Sequence, residues 1–310
     1  MTTQHILGRF APSPSGRMHL GNIYAALMSW LSARKHGGKW IVRIEDLDQQ
    51  RCRPEYATQL LDDLHWLGLE SDGEILYQSQ RTDIYIEAFT HLKKEGIIYD
   101  CFCSRADLRA SSAPHASDGT PIYPGTCRNM PADIHARMLL QRNPASRVAV
   151  GNTETHFCDG NYGYQSCNLA SECGDFVVRR SNGNFAYQLA VVVDDALSGI
   201  TEVVRGCDLL PSTHQQIFLY NHLGYTPPKF YHLPLLMSSN GRRLSKRDAD
   251  TDMGFLRTHY TPAQIIGLLM HLCRLCPANT HLSLYEALDV FCDFPLHAGY
   301  CITNVNSNVL

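Results

Sequence analysis

The chain has 310 residues and a net charge of −3 with a pI near 6.6, a balance that argues against a generic basic nucleic-acid binder while leaving room for a local cationic patch. Its 12 cysteines are too sparse and irregular for a disulfide scaffold. Residues 1–20 lack a basic start followed by an apolar core, and no stretch reaches membrane-span length, so reduced thiols, a cytoplasmic location and no membrane partner are expected. A monomer is the expected state.

His5 to Phe10 is a short apolar run that reads as a first β-strand. Ile23, Tyr24, Leu27, Met28 and Leu31 share one face of a predicted amphipathic helix over 20–36. Between them stands Ala11-Pro12-Ser13-Pro14-Ser15-Gly16-Arg17-Met18-His19-Leu20-Gly21-Asn22. Strand, turn and helix in that order suit a nucleotide, because a helix N-terminus offers unpaired N–H groups and partial positive charge to phosphates. Gly21 has no Cβ, so adenine or a phosphate can approach the backbone closely. His19 can donate to phosphate oxygens. His-x-Gly-Asn alone fits equally well an ordinary turn with a surface histidine.

Strand-like runs at 39–44, 200–204 and 230–236 alternate with helical patterns at 54–67, 81–95 and 212–223, which predicts an α/β fold with a parallel sheet and crossover helices. Residues 101 to about 185 break the alternation with loops, turns and short extended pieces, and read as an insertion. There Cys101-Phe102-Cys103 and, after a loop, Tyr123-Pro124-Gly125-Thr126-Cys127 supply three corners of a tetrahedral metal site. His115, in the Ser/Pro/Gly-rich loop 111–122, is a chemically easy fourth ligand; three buried apolar thiols without metal are the alternative. Arg105, Arg109, Arg128, Arg137, Arg142 and Arg147 gather in or after that loop as candidate RNA contacts. Cys273-Arg274-Leu275-Cys276 lies in a helical pattern with no second pair and reads as packing. After the last strand comes Met237-Ser238-Ser239-Asn240-Gly241-Arg242-Arg243-Leu244-Ser245-Lys246-Arg247, a turn followed by four cations. Ile265, Ile266, Leu268, Leu269 and Leu272 predict short helices beyond it.

His19-Leu20-Gly21-Asn22 and Arg243-Leu244-Ser245-Lys246-Arg247 together resemble the two signature motifs of class I aminoacyl-tRNA synthetases, usually written His-Ile-Gly-His and Lys-Met-Ser-Lys-Ser. Leu20, Asn22, Leu244 and Arg247 are departures from that pattern. The blocks Gly8 to Gly16, Ile41 to Asp48, Tyr187 to Asp195 and Ile200 to Leu210 resemble the glutamyl subgroup in the same order, over residues 5 to about 260.

The resemblance implies a Rossmann-like catalytic domain in two halves, 1–100 and 186–240. An acceptor-type subdomain, 101–185, is inserted between them, and 241–310 adds the lysine loop and a short helical region. It also implies attack of an amino-acid carboxylate on the α-phosphate of ATP. The carboxylate is already ionised at neutral pH, so catalysis rests on positioning and charge stabilisation. His19 and Lys246 would be catalytic, with Gly21, Asn22 and Ser245 completing the ATP site. Mg²⁺ would accompany ATP, held mainly by its phosphates. For L-glutamate, Arg9 and Arg205 offer forks to carboxylates, Glu45 accepts from the ammonium, and Tyr187 hydrogen-bonds a carboxylate. Phe10, Ala11, Pro12 and Ser13 would line the amino-acid backbone. The same Cys-x-Cys, Tyr, x3, Cys arrangement in relatives makes Tyr123 the fourth ligand of one structural Zn²⁺ with Cys101, Cys103 and Cys127, and His115 the runner-up.

Few residues follow Arg247, too few for the helical anticodon-binding domain of an ordinary glutamyl-tRNA synthetase. That organisation resembles the reduced branch of the subgroup, which transfers glutamate to queuosine in the anticodon of tRNA(Asp). A truncated synthetase charging the 3′ end of tRNA(Glu) and a non-catalytic glutamate- or RNA-binding paralogue are the alternatives.

Overall fold

The computed structural model describes residues 5–104, 106–107, 122–238, 252–295 and 302–305. Strand β1 (Leu7–Phe10), helix α1 (Leu20–Lys35) and strand β2 (Lys39–Ile44) make a parallel crossover, with Leu7 opposite Lys39 and Phe10 opposite Val42. Helix α2 (Pro54–Trp66) opens on Pro54, where no backbone N–H is needed, and leads to β3 (Leu76–Tyr77), parallel to the end of β2. Helix α3 (Thr82–Lys94) completes this half.

Then β4 (Ile98–Cys101), α4 (Ala132–Leu139), β5 (Ala145–Val148), β6 (Glu154–Asp159), β7 (Gly163–Asn168), α5 (Leu169–Glu172) and β8 (Phe176–Arg179) follow. The order β4-β5-β8 is antiparallel throughout, and β6 and β7 form an antiparallel hairpin. The hairpin turn returns to the parallel part of the molecule. Gly160 N–H donates to Phe230 C=O at 2.9 Å, and Asn161 Nδ2 donates to His232 C=O at 2.8 Å. A Cβ on Gly160 would lie 2.0 Å from the Tyr231 ring, so only glycine allows this approach.

Helix α6 (Tyr187–Leu197), β9 (Glu202–Gly206), α7 (Leu210–His222) and β10 (Lys229–Leu233) form the second half, with β10 parallel to β9. The halves meet where Thr201 N–H donates to Leu7 C=O at 3.0 Å and Leu7 N–H to Thr201 Oγ1 at 2.9 Å. The run expected as one strand over 230–236 is two, because Pro234 lacks the N–H a ladder needs; β11 (Leu236–Ser238) restarts it and pairs in parallel with β12 (Ile302–Val305). Helices α8 (Met253–His259), α9 (Pro262–Leu272) and α10 (Leu284–Val290) follow, capped by Asp252, Thr261 and Ser283.

Helix α1 departs from the amphipathic expectation. Ala26, Ser29, Trp30, Ser32 and Ala33 are buried as well as the expected face, because the sheet covers one side and the C-terminal helices cover another. Its serines are satisfied inside: Ser29 Oγ accepts from Trp40 Nε1 at 2.9 Å, and Ser32 bonds Glu202. Nothing in the periodicity marks α6 as helical, since Val191, Val192 and Val193 favour strands. Burial of Leu189 to Val193 in a second core, against Phe218, Leu219 and Phe230, overrides that preference. Among the described residues no helix is long and apolar enough to cross a membrane.

Candidate active site

A cleft of about 470 Å³ opens at the C-terminal ends of β1, β2, β9 and β10, where open α/β sheets bind ligands. Arg9, Phe10, Ala11, Pro12, Ser13, His19, Gly21, Asn22, Glu45, Tyr187 and Arg205 all line it. Ser245, Lys246 and His115 lie outside the described residues. The flanks of the Ser245-Lys246 segment are at the cleft: Leu236 lines it, and Asp252 forms a bridge with His19.

His19 is the N-cap of α1. Its Nδ1 accepts from Gly21 N–H at 3.1 Å, and Asn22 Oδ1 accepts from His19 N–H at 3.1 Å, a reciprocal cap that fixes the ring. A neutral ring whose Nδ1 accepts carries its proton on Nε2. A Cβ at position 21 would come within 3.0 Å of His19 Cε1, a tight contact that would press on the imidazole. Asn22 spends its amide oxygen on the cap.

Under the cleft lies a buried network of charges. Arg9 donates to both oxygens of Asp195 at 3.3 Å, and Arg43 Nη1 donates to Asp195 Oδ1 at 2.6 Å. Arg43 Nη2 reaches Glu45 Oε1 at 3.4 Å. Burial pushes the Asp195 carboxyl up, but the two guanidinium groups outweigh it and hold Asp195 below its ordinary range. For Glu45 burial wins over Arg43 and Arg9, and its carboxyl is raised. Asp194 is tied to Gln78, Arg81 and Tyr85 at 2.7–2.8 Å.

Arg205 is held differently. Its Nε donates to His232 Nε2 at 3.0 Å, and its Nη2 donates to Thr213 Oγ1 and Gln216 Oε1, both at 2.8 Å. Among the described residues Nη1 has only the Tyr187 hydroxyl, at 3.4 Å. All four partners are neutral, and among the described residues no carboxylate pairs with Arg205. Burial accordingly lowers the guanidinium from its ordinary value. His232 in turn donates from Nδ1 to Asp159 Oδ2 at 2.6 Å. Asp159, Thr213, Gln216 and His232 were not among the expected site residues. Their one signal is a polar residue inside an apolar run, as His232 is between Tyr231 and Leu233.

Burial, opposed by the Asp159 hydrogen bond and reinforced by Arg205, pushes the His232 imidazole down to about 4 from 6.5. Above pH 6.5 folded and unfolded chains both hold it neutral. Below that pH the unfolded chain takes the proton first, so stability falls until the folded imidazole titrates near pH 4. The total expected loss is about 3 kcal/mol. In urea unfolding, the stability gap between wild type and His232→Gln should narrow by about 2 kcal/mol from pH 7 to pH 4.5. A gap independent of pH would show that His232 is not held neutral.

The cysteine cluster assembles as the spacing suggests. The sulfurs of Cys101, Cys103 and Cys127 lie within 4.8 Å of one another, with Cys103 and Cys127 at 3.6 Å. The Tyr123 oxygen is 3.4 Å from Cys101 Sγ and 3.6 Å from Cys103 Sγ, and accepts Cys127 N–H at 2.9 Å. Tetrahedral zinc with Zn–S near 2.3 Å and Zn–O near 2.0 Å has S···S edges of about 3.8 Å and S···O edges of about 3.5 Å, so this donor set fits such an ion. Arg147, expected at an RNA-facing surface, is instead buried. Its guanidinium lies 3.9 Å over the Tyr123 ring, and Nε donates to Cys101 Sγ at 3.3 Å. Arg128 is paired with Asp175, while Arg137 and Arg142 are exposed; Arg105 and Arg109 lie outside the described residues.

A family profile described as "tRNA synthetases class I (E and Q), catalytic domain" matches residues 5–275. A glutamyl-Q tRNA(Asp) synthetase of Symbiobacterium thermophilum is 45% identical over 300 residues, covering 92% of each chain. One from Thiobacillus denitrificans is 49% identical over 242 residues, covering 78% of this chain and 77% of its own. Among solved structures, a glutamate tRNA ligase from Elizabethkingia meningosepticum in complex with its amino acid superimposes with a TM-score of 0.79 at 28% identity. The match covers 95% of this chain, which spans 65% of that ligase.

Proposed function

The chain belongs to the class I tRNA synthetases of the glutamyl and glutaminyl group, and from that premise we propose that it activates L-glutamate with ATP and transfers it to queuosine in tRNA(Asp). The observation that carries the glutamate reading is Arg205, a buried cation braced by neutral groups with Nη1 turned to the Tyr187 hydroxyl. A buried positive charge without an acid beside it favours an anionic side chain. Arg9, already paired with Asp195, gives a second and weaker attraction, and Glu45 accepts from the ammonium.

The glutamate α-carboxylate then attacks the α-phosphorus and pyrophosphate leaves. His19 Nε2–H and the α1 N-terminus stabilise charge on one side of the phosphates. Ser245 and Lys246 are assigned to the other side by their place in the motif, and Mg²⁺ held by the ATP phosphates would screen their charge. In the second step a hydroxyl of the queuosine diol attacks the acyl carbon and AMP leaves. The names of the 44–49% identical relatives support queuosine as acceptor. Glutamate-dependent ATP–pyrophosphate exchange tests the first step. Transfer to queuosine-containing but not queuosine-free tRNA(Asp) tests the second. No exchange sinks the enzyme reading, and labelling of queuosine-free tRNA sinks the acceptor.

One structural Zn²⁺ is proposed at Cys101, Cys103, Tyr123 and Cys127, in the insertion assigned to 101–185. Four protein ligands leave no open position, so Cys101, Cys103, Tyr123 and Cys127 would hold a bound ion as a structural tie, with Arg128, Arg137 and Arg142 beside it toward RNA. Arg147 offsets the negative charge of the ligand set. Metal analysis should find one zinc per chain, and Cys103→Ser should weaken transfer to tRNA more than exchange. Less than about a tenth of an equivalent after reconstitution would dispose of the site. Undiminished zinc in Tyr123→Phe would hand the fourth position to another ligand.

A further inference from the structure

Arg205 presents Nη1 to the cleft only because its other donors are taken, and the acceptor on Nε is unusual. An arginine N–H needs a lone pair, and imidazole has one only when neutral and unprotonated at the facing nitrogen. His232 is 0% exposed and Asp159 is 1% exposed. The Nδ1 to Asp159 Oδ2 distance of 2.6 Å puts the imidazole proton on Nδ1 and leaves Nε2 as the acceptor, 3.0 Å from Arg205 Nε. Asp159 is fixed in its turn by backbone N–H groups of Asn161, Tyr162 and His232 at 2.9–3.3 Å. Burial pushes its carboxyl up, but these bonds and His232 outweigh it, and Asp159 is held below its ordinary range.

We infer that Asp159 and His232 are positioning residues for glutamate selection: together they aim Arg205 and leave its charge for the ligand. This rests on the reading of Arg205 as the cation for the glutamate side chain. The logic is electrostatic. A carboxylate in direct contact with Arg205 would cancel the charge that recognises glutamate, as Asp195 does in part for Arg9. A neutral imidazole between Arg205 and Asp159 supplies the hydrogen bond while keeping the negative charge one ring away. The acid comes from the end of β6, in the antiparallel region, and the imidazole from β10, in the parallel sheet. Amino-acid selection therefore depends on a side chain outside the cleft lining.

The test uses three variants and the wild-type protein. His232→Asn keeps a donor for Asp159 but removes the acceptor for Arg205. It should raise the glutamate KM about 10–100-fold with kcat nearly retained and the KM for ATP unchanged. The preference for glutamate over glutamine in pyrophosphate exchange should fall by a similar factor. His232→Gln, which can place an acceptor near Nε2, should restore most of both. A merely structural His232 predicts glutamate and ATP affinity lost together, or glutamine exchange weakened as much as glutamate exchange, and either result overturns the inference. Should His232→Asn fail to fold, long-range ¹H–¹⁵N spectra of the wild type still decide: a neutral ring protonated at Nδ1 at pH 7 is expected, and an Nε2–H tautomer overturns the relay. Arg205→Ala separates the two levels. A raised KM there beside an unchanged one in His232→Asn removes the relay alone, whereas an unchanged KM in Arg205→Ala removes the glutamate reading and the relay with it.

Discussion

Replacing Arg205 with alanine should raise the KM for glutamate about 10²–10³-fold, the cost of burying a carboxylate whose charged partner is gone. Little of that loss should come from unfolding. The folded protein holds Arg205 buried, with no carboxylate against it among the described residues, and burial lowers its pKa. Removing the cation relieves that desolvation while leaving Thr213, Gln216 and His232 without their donor, so the two effects on stability oppose each other. A melting temperature within a few degrees of wild type should accompany the lost affinity. Glutamine, with no charge to lose, should bind the variant about as it binds wild type. Equal glutamate KM values for wild type and variant would remove Arg205 from the site.

Lys246→Ala should slow glutamyl-adenylate formation about 10²–10³-fold while leaving glutamate affinity little changed, the effect of losing one preorganised charge stabiliser. The two ends of the segment that carries Lys246 bracket the cleft, at Leu236 and at Asp252 beside His19. Rapid-quench measurement of adenylate formation at saturating glutamate and ATP checks this. A variant with lowered stability but an intact rate per folded molecule would make Lys246 structural.

What the sequence revealed of this site is what lies close together along the chain. His19, Gly21 and Asn22 form one turn, and their shared cap is a matter of three residues within four positions and a helix start. The cysteine cluster needs only a strand end and a turn to close it. The unexpected residues join distant parts: Asp159 and His232 are 73 positions apart, and Arg43 and Asp195 are 152 apart. A period of two or 3.6 says which face a residue occupies, but says nothing of which buried charge waits there. Arg147 shows the same limit, since a cation in a Cys-rich insertion looks like a solvent-facing RNA contact until Tyr123 and Cys101 are seen beneath it. The parallel strands and crossover helices were readable because alternation is global. Helix α6 was not, because its three valines follow the demands of the core around them.

Gly160 limits how such an enzyme can be rebuilt from parts. The turn it occupies presses against Tyr231 with no room for a methyl group, and its neighbours Asp159 and Asn161 both bond His232. An engineer who grafts the antiparallel segment of one synthetase onto the parallel-sheet half of another would break this seam unless residues 229–233 travelled with it. Recombination breakpoints between relatives should therefore be tolerated on the exposed side of α4 and rejected between the β6–β7 hairpin and β10. Shuffled libraries scored for growth or for soluble yield would display that seam as a pair of segments inherited together.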